Sequence, residues 1–256
     1  MRELLHTYDH YLLASIALGG TFAAAFLLLW LANRSRHAGE ISAFRGLSPP
    51  FVNVVGVLFA LTLAFLANDT WNAHDRALNA TFQEAGSLRS IQALAAGLPA
   101  QAQGRIEQAL IAYVTEAVGR EWPMLAKRES SSSATERLSD LLAVVSSADV
   151  AQSITPTVHT LMLQQVVQVR ALREQRIALS QTHVNPLKWV GMAFLGFLTM
   201  VSIALVYIEQ PKAELLAVML FSAAAAPTAA IVLVQGNPFQ EPTAVSPAPI
   251  GALIGR

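Results

Sequence analysis

The sequence contains no cysteine, which excludes disulfide bonds, thiol nucleophiles and thiolate metal sites. Charge is also scarce, because only 13% of the residues are Asp, Glu, Lys or Arg. The 17 cationic and 17 anionic side chains balance, so no net field draws the chain to nucleic acid, and a polyanion-binding function has no support. What remains is a chain of 256 residues of which 54% are apolar, and this composition points away from an ordinary soluble fold.

Four stretches lack any charged side chain and are long enough to cross a bilayer: Tyr11 to Asn33, Gly46 to Asn68, Trp189 to Ile208, and Leu215 to Gly236. A hydrocarbon core takes about 20 apolar residues in helical form, so the pattern predicts four transmembrane helices. The segment before the first stretch has no net positive charge, and Arg34 and Arg36 follow it as a stop-transfer signal would. We therefore expect the first helix to be retained rather than cleaved as a secretory signal.

The spacing of apolar residues predicts an all-α fold, because these residues recur at three- and four-residue steps and no segment shows sustained strand alternation. The predicted organisation is transmembrane helices one (11–33) and two (46–68) within residues 1–68, a helical soluble insert at 69–188, transmembrane helices three (189–208) and four (215–236), and a flexible C-terminal tail at 237–256. Helix two meets no glycine or proline between Gly56 and Gly86. We expect it to run past the membrane and to end at Gly97-Leu98-Pro99.

The insert is expected to hold further helices over Ala100 to Trp122, over Ala134 to Asp149, and from Pro156 to about Gln181. The segment Lys127 to Ala134 contains four consecutive serines and is the predicted loop. The side chains expected in a helical core are Leu78, Phe82, Tyr113, Trp122, Leu141 and Leu161. A mainly strand-containing insert would contradict this interpretation.

The distribution of cations predicts the orientation. With four transmembrane helices, both termini and the insert share one side of the membrane. Lysines and arginines near the helix ends are Arg2, Arg76, Arg170, Arg173, Arg176, Lys188 and Arg256 on the insert side, and Arg34, Arg36, Arg45 and Lys212 on the other side. The positive-inside rule therefore favours a cytoplasmic insert and cytoplasmic termini, although the rule weakens for long loops.

Residues that could support catalysis or bind a metal are few. The six histidines are His6, His10, His37, His74, His159 and His183, and none sits at a known ligand spacing from another histidine or a carboxylate apart from adjacent pairs such as His74-Asp75. Adjacent helical residues point about 100° apart, which is poor geometry for holding one metal ion. Solvated helix faces explain Glu84, Glu107, Glu116, Glu121 and Glu136, and neither a phosphate-binding glycine loop nor a nucleophile elbow occurs. We therefore predict a protein that is not an enzyme and has no cofactor or metal.

Helix two carries one further regularity. Phe51, Val55, Leu58, Thr62, Phe65 and Asp69 follow one another at alternating four- and three-residue steps, which places them along one stripe of the helix. If this stripe lines a pore, its apolar side chains form a constriction, Thr62 offers a hydroxyl, and Asp69 places a charge at the mouth. The alternative is that the stripe packs against the other transmembrane helices. Both interpretations stay open on the sequence alone.

Short motifs along the chain resemble a family of bacterial membrane proteins described as bestrophin-like, a domain of unknown function. The resembling segments are GVLFALTLAFLANDTW (56–71), EAGSL (84–88), YVTEAVGREWP (113–123), RIALSQTHVNPLKW (176–189) and NPFQ (237–240). The individual motifs are short, and their order along the chain carries the resemblance. It covers nearly the whole sequence, from about Leu12 to Gln240.

The resemblance implies a function. True bestrophins are similar in layout, being four-span oligomeric anion channels whose second helices surround the pore and whose helical insert is cytosolic. By this resemblance the chain is expected to be a homo-oligomeric channel of the bacterial inner membrane, with helix two facing the symmetry axis and small anions as the permeating species. The alternative is a non-conducting membrane scaffold or sensor whose helical insert binds a partner. Ion-coupled transport is a third option, against which the absence of charged residues within the spans counts.

Overall fold

The computed structural model describes residues 9–34, 49–181 and 186–254, and these residues form helices, turns and bends without a strand. By its contacts the chain divides into two compact units. The membrane unit comprises Met1–Trp71 and His183–Gly236, and the insert unit comprises Asn72–Thr182 and Asn237–Arg256. The predicted all-α fold, with a helical insert between the second and third apolar helices, is confirmed.

The helices follow one another as α1 (Asp9–Arg34), α2 (Pro49–Ala95), α3 (Ala100–Glu116), a π-helical turn (Ala117–Glu121), α4 (Trp122–Ala126), α5 (Ser132–Val145), α6 (Ala148–Ser153), α7 (Pro156–Ser180), α8 (Pro186–Val206), α9 (Pro211–Val234) and α10 (Ala248–Gly251). Four of them contain segments long and apolar enough to cross a membrane: Tyr11–Ala32, Val52–Ala95, Leu187–Val206 and Pro211–Val234. Prolines open α2, α8 and α9, where the missing backbone N–H needs no partner. The expected extension of helix two is present, because α2 has 47 residues and ends at Ala95.

Small side chains bring the helices of the membrane unit together. Ala25 of α1, Ala204 of α8 and Val218 of α9 are almost fully buried in one cluster. A second cluster holds Phe59 of α2 against neighbours on α8 and α9, and its ring centroid lies 5.5 Å from that of Phe221. Because lipid tails are as apolar as these side chains, close packing of small residues supplies much of the attraction between such helices.

The helices of the insert unit differ from the predicted ones mainly around Pro123. The helix expected to close there passes through the π-helical turn and continues to Ala126, with Pro123 in the first turn of α4. The serine-rich loop is shorter than expected, because Ser131 caps α5 and its hydroxyl accepts a hydrogen bond from Ala134 N at 3.2 Å. Pro156 opens α7 as predicted.

The core of the insert unit confirms half of the predicted core residues and contradicts the other half. Tyr113, Trp122 and Leu141 are buried, and none is more than 7% exposed. In contrast, Leu78, Phe82 and Leu161 are exposed by 37%, 54% and 45%, so their placement in the core was wrong for the single chain. On α2 the buried face passes instead through Ala77, Thr81, Glu84, Ala85, Leu88 and Ile91. The three exposed side chains therefore form apolar surface on the insert unit.

The C-terminal segment differs from the flexible tail expected for residues 237–256. Over residues 237–254 it packs on the insert unit, with Phe239 and Ile250 among the buried core residues. Asn237 is fully buried, its Nδ2 donates to Leu125 O at 3.2 Å, and its Oδ1 accepts from Phe239 N at 3.0 Å. Alternating buried apolar and bonded polar groups thus bind this segment to α4.

Candidate functional site

The stripe predicted on helix two lies on a side of α2 that the membrane unit leaves largely uncovered. Leu58 and Phe65 are 49% and 67% exposed. The next residue in each case, Phe59 or Leu66, is less than a tenth exposed and packs in the core of the membrane unit. A rotation of about 100° per residue separates the two sets, so one side of α2 is buried within the chain and the adjacent side is available to other contacts.

The rest of the stripe adds one polar group within the span. Val55 and Thr62 are partly exposed, whereas the side chain of Phe51 lies outside the described residues. The Thr62 hydroxyl donates to Leu58 O of its own helix at 2.8 Å. Its proton is therefore committed to the backbone, and the hydroxyl presents mainly its oxygen outward. From Val55 to Phe65 the exposed part of the stripe is accordingly mainly apolar, with Leu58 and Phe65 as its bulkiest members, and Asp69 adds a charge at its end.

A charged pair follows the stripe toward the end of the membrane unit. Lys188 Nζ of α8 donates to Asp69 Oδ2 of α2 at 2.7 Å, and both side chains are more than half exposed. Two residues further along, Trp71 Nε1 donates to Gln235 Oε1 at 3.0 Å. Tryptophan and lysine are frequent where a helix leaves the hydrocarbon layer. Sequence reasoning identified Asp69 but missed its partner, because the two residues are 119 positions apart.

A second group of polar side chains lies inside the insert unit, and of its members the sequence predicted only Tyr113 in the core. Arg176 of α7 donates to the Glu84 carboxylate of α2 through Nε at 2.6 Å and Nη2 at 3.0 Å. The Tyr113 hydroxyl of α3 donates to Glu84 Oε1 at 2.6 Å. All three side chains are fully buried. A buried carboxylate thus receives three hydrogen bonds, which offset its loss of hydration.

The same group continues through the π-helical turn. Glu121, its last residue, is fully buried and accepts from Arg173 Nε at 3.0 Å. The Arg173 guanidinium also donates to Ser131 O and to Thr135 Oγ1, both at 3.0 Å. Glu121 lies 3.8 Å from the Arg176 guanidinium and so connects the two pairs. We call these residues the buried ionic cluster: Glu84, Tyr113, Glu121, Arg173 and Arg176.

The electrostatics of the cluster follow from burial and close charges. Burial raises the pKa of Tyr113 well above its usual value, and the neighbouring Glu84 carboxylate raises it further. Burial alone would lower the pKa of Arg176, but Glu84 outweighs this effect and the pKa lies above its usual value. The Arg176 Cζ also lies 4.7 Å from the centroid of the Trp122 ring, in cation–π geometry. At neutral pH the tyrosine is protonated and the arginine is charged.

The sequence predicted solvated helix faces for Glu84 and Glu121. This prediction was wrong, because both carboxylates are buried in the cluster. The cluster also pairs Arg173 and Arg176, two of the cations counted for the orientation. Three segments of the family resemblance meet here, since 84–88 supplies Glu84, 113–123 supplies Tyr113 and Glu121, and 176–189 supplies Arg176. The family motifs, which are far apart in the sequence, were the signal that could have identified the cluster. Composition and periodicity did not reveal it.

The cluster is suited to holding helices together rather than to turning over a substrate. Its carboxylates are occupied by arginine and tyrosine donors, and both lie away from solvent. Within residues 9–34, 49–181 and 186–254, no group of three His, Cys, Asp or Glu side chains is placed to hold a metal ion. The chemistry of this site is therefore charge pairing between α2, α3, α7 and the π-helical turn.

Four apolar helices and a helical insert with a buried ionic cluster define an integral membrane protein. A sequence profile of the Bestrophin-like domain matches residues 19–250. The chain belongs to the bestrophin-like family, as its motifs indicated.

Solved structures with the same fold support this assignment. A crystal structure of a bacterial bestrophin homologue from Klebsiella pneumoniae with a tryptophan-to-alanine mutation is similar, with a TM-score of 0.65, 13% sequence identity, and coverage of 94% of this chain and 93% of that chain. A structure of a homologue from the same organism with an isoleucine-to-threonine mutation gives a TM-score of 0.57 at 16% identity, with 94% and 93% of the two chains covered. At these identities the likeness shows the fold. No curated protein matches the sequence.

Proposed function

We propose that the chain forms a homo-oligomeric channel in which α2 lines the pore through Phe51, Val55, Leu58, Thr62, Phe65 and Asp69. The exposure of Leu58 and Phe65 carries this proposal, because the same helix buries Phe59 and Leu66 within the chain. A stripe that packed within one subunit would be covered by α1, α8 or α9. If the stripe faces other copies of α2 around a symmetry axis, these side chains have contacts within the oligomer.

The side chains of this face favour a constriction over a coordinating filter. Leu58 and Phe65 present hydrocarbon, and the Thr62 proton is bonded to the backbone. A ring of such side chains blocks ions by excluding water and opens when the ring widens. We therefore propose that Phe65, the more exposed of the two, forms the principal barrier to permeation.

Small anions are the proposed permeating species. The pairing of Lys188 with Asp69 supports this choice, because it compensates the carboxylate at the end of the stripe. In the Asp69→Asn variant the Lys188 charge would be uncompensated, and we expect a higher ratio of chloride to sodium permeability. A Lys188→Gln substitution should shift the ratio the other way. Reversal potentials in asymmetric sodium chloride measure both changes.

Conduction itself is tested by reconstituting the purified full-length protein in planar bilayers. We expect current from the wild type, a changed open probability in Phe65→Ala, and a smaller change in Thr62→Ala. The matched control is Phe26→Ala, because Phe26 is 74% exposed on α1 and lies outside the proposed pore face. Silence of the wild type, unchanged in Phe65→Ala, would remove the basis of the channel proposal.

The arrangement of the oligomer has a separate test, for which a cysteine-free chain gives no background. If α2 faces the symmetry axis, a short bifunctional maleimide should join subunits of Phe65→Cys in membranes. Phe26→Cys should join far fewer, since Phe26 is at least as exposed as Phe65 but lies on another helix. Equal yields from the two variants would argue against α2 at the axis.

We further propose a bacterial inner-membrane location with the insert and both termini in the cytoplasm, which rests on the cation distribution. Ser139 lies on an exposed part of α5 and bonds only to its own helix. A membrane-impermeant maleimide should therefore label Ser139→Cys in inverted vesicles and not in intact spheroplasts. Labelling in intact spheroplasts would reverse the orientation.

The alternative function, a non-conducting scaffold or sensor, is favoured by one observation. Phe82 and Val167 leave large apolar side chains 54% and 59% exposed on the insert unit. Such surface is typical of contacts with other chains. If the wild type carries no current while Phe82→Ser abolishes association with another protein but leaves the oligomer intact, the scaffold interpretation replaces the channel.

A further inference from the structure

A cavity of about 290 Å³ lies among the helices of the membrane unit. Its walls come from all four apolar helices and include Gly20 and Ala24 of α1, Phe59 of α2, Met192 and Gly196 of α8, and Phe221 of α9. Ile16 and Phe197 also line it and remain 57% and 44% exposed. The cavity is therefore open to the surroundings of the apolar helices rather than sealed inside them.

The walls are apolar throughout. Among the described residues that line the cavity, none has a charged side chain, and Thr21 is the one with a side-chain hydroxyl. That hydroxyl donates to Ala17 O of its own helix at 2.6 Å, so its proton is already bound. A polar ligand would find no free donor here. Apolar cavities of this kind stay dry and take apolar guests, and one of about 150 Å³ already holds benzene.

Two glycines give the cavity its shape. A Cβ atom at Gly196 would lie 3.1 Å from Phe59 Cε2, so glycine at this position lets the Phe59 ring lie against α8. At Gly20 an added Cβ would meet no atom within 4 Å, because the space beside it is empty. The empty space therefore adjoins α1, and a larger side chain at Gly20 has room to enter it.

We propose that this cavity binds an acyl chain of a bilayer phospholipid. Its walls belong to the membrane-crossing segments, for which hydrocarbon tails are the solvent. Ile16 and Phe197 connect the cavity to that lipid-facing surface, so a tail can enter without leaving the hydrocarbon layer. The guest replaces empty space by dispersion contacts, and it needs no hydrogen-bond partner. The site is independent of whether the protein conducts ions.

The test uses full-length protein in vesicles of phosphatidylethanolamine and phosphatidylglycerol that contain a phospholipid with a diazirine near the end of one acyl chain. After illumination, mass spectrometry locates the label. We expect labelling of α8 at Met192 and Met200, both of which line the cavity and are at most 5% exposed. Bulk lipid outside the protein reaches neither side chain, so this label reports entry into the cavity.

The deciding comparison is Gly20→Phe against Gly19→Phe. Both positions are free of atoms within 4 Å of an added Cβ, but only Gly20 lines the cavity. Phenylalanine at Gly20 should fill the space and lower the Met192 label at least about tenfold. This is the loss of affinity expected when about two methylene groups of the acyl chain are no longer buried. Gly19→Phe should label like the wild type.

A second cavity-filling variant keeps the test decisive if the first one does not fold. If Gly20→Phe does not elute like the wild type in gel filtration, Ala193→Phe blocks the cavity from α8 instead. Undiminished labelling in a folded filling variant overturns the proposal. An unlabelled Met192 in the wild type also overturns it.

Discussion

Removing one partner of the Glu84–Arg176 pair should destabilise the insert unit strongly. In Arg176→Met the Glu84 carboxylate keeps the Tyr113 hydroxyl but loses two donors, and it stays fully buried. Leaving a buried charge uncompensated in this way costs about 3–5 kcal/mol. For a chain of this size about 2–4 °C is lost per kcal/mol, so we expect a decrease in unfolding temperature of roughly 6–20 °C.

The measurement is thermal unfolding of detergent-solubilised protein, followed by circular dichroism at a fixed scan rate. Arg170→Met is the matched control, because Arg170 lies on the same helix and pairs with Glu174 at 3.0 Å with both side chains more than 60% exposed. Solvent screens that pair, so its loss should change the unfolding temperature little.

A double substitution separates charge from packing. In Glu84→Gln combined with Arg176→Met, no isolated charge remains buried, and the double variant should be more stable than Arg176→Met alone. If Arg176→Met unfolds at the same temperature as Arg170→Met, the cluster contributes no more than a surface ion pair. The reasoning from burial and hydrogen bonding would then be refuted.

Two further predictions concern the insert unit. The raised pKa of Tyr113 means that the folded state holds its proton more tightly than the unfolded state, so this contribution to stability is complete below about pH 10 and is lost as pH rises through the folded pKa. Unfolding temperatures between pH 9 and pH 12 should therefore fall less steeply in Tyr113→Phe, and equal slopes would contradict the assignment. Asn237→Ala should expose the C-terminal segment to limited proteolysis, because it removes the bonds to Leu125 O and from Phe239 N, whereas unchanged cleavage would show that apolar contacts alone hold the segment.

The membrane helices could be predicted from the sequence because their determinants are local. Absence of charge over about 20 residues is a property of one contiguous segment, and no distant residue is needed to recognise it. Proline at a helix start is equally local, as at Pro156. Helix ends in the insert were less accurate, because a π-helical turn after Glu116 has no signature in the periodicity of apolar residues.

The buried face of α2 in the insert could not be predicted in the same way. Periodicity groups Leu78 and Phe82 in one stripe with Ala85 and Leu88. The face that packs is rotated toward Ala77 and Thr81, so it includes Ala85 and Leu88 but leaves Leu78 and Phe82 exposed. Glu84 lies on that packed face, and a carboxylate normally indicates solvent. Its burial depends on Tyr113 and Arg176, 29 and 92 residues away, which only the folded chain brings together.

The pore face stays a prediction whose strongest support comes from the fold. The three- and four-residue steps from Val55 to Asp69 define a stripe, but they do not say which surface covers it. The structure narrows the choice by burying Phe59 and Leu66 and leaving Phe65 uncovered. The comparison of Phe65→Cys with Phe26→Cys in crosslinking tests whether copies of the chain cover this face.

The π-helical turn makes one place in the insert unit tolerant of a change in chain length. A π-turn holds an additional residue relative to an α-helical turn, and here it ends on Glu121, directly before Trp122. Deleting Gly119, whose neighbourhood is open, would let the turn close as a regular α-helix while the residues after it keep nearly their orientation relative to α3. Deleting one residue from a regular part of α3 would instead rotate everything after it by about 100° and turn Glu121 away from Arg173. Single-residue deletions in residues 117–121 should therefore be better tolerated than single-residue deletions in residues 105–112.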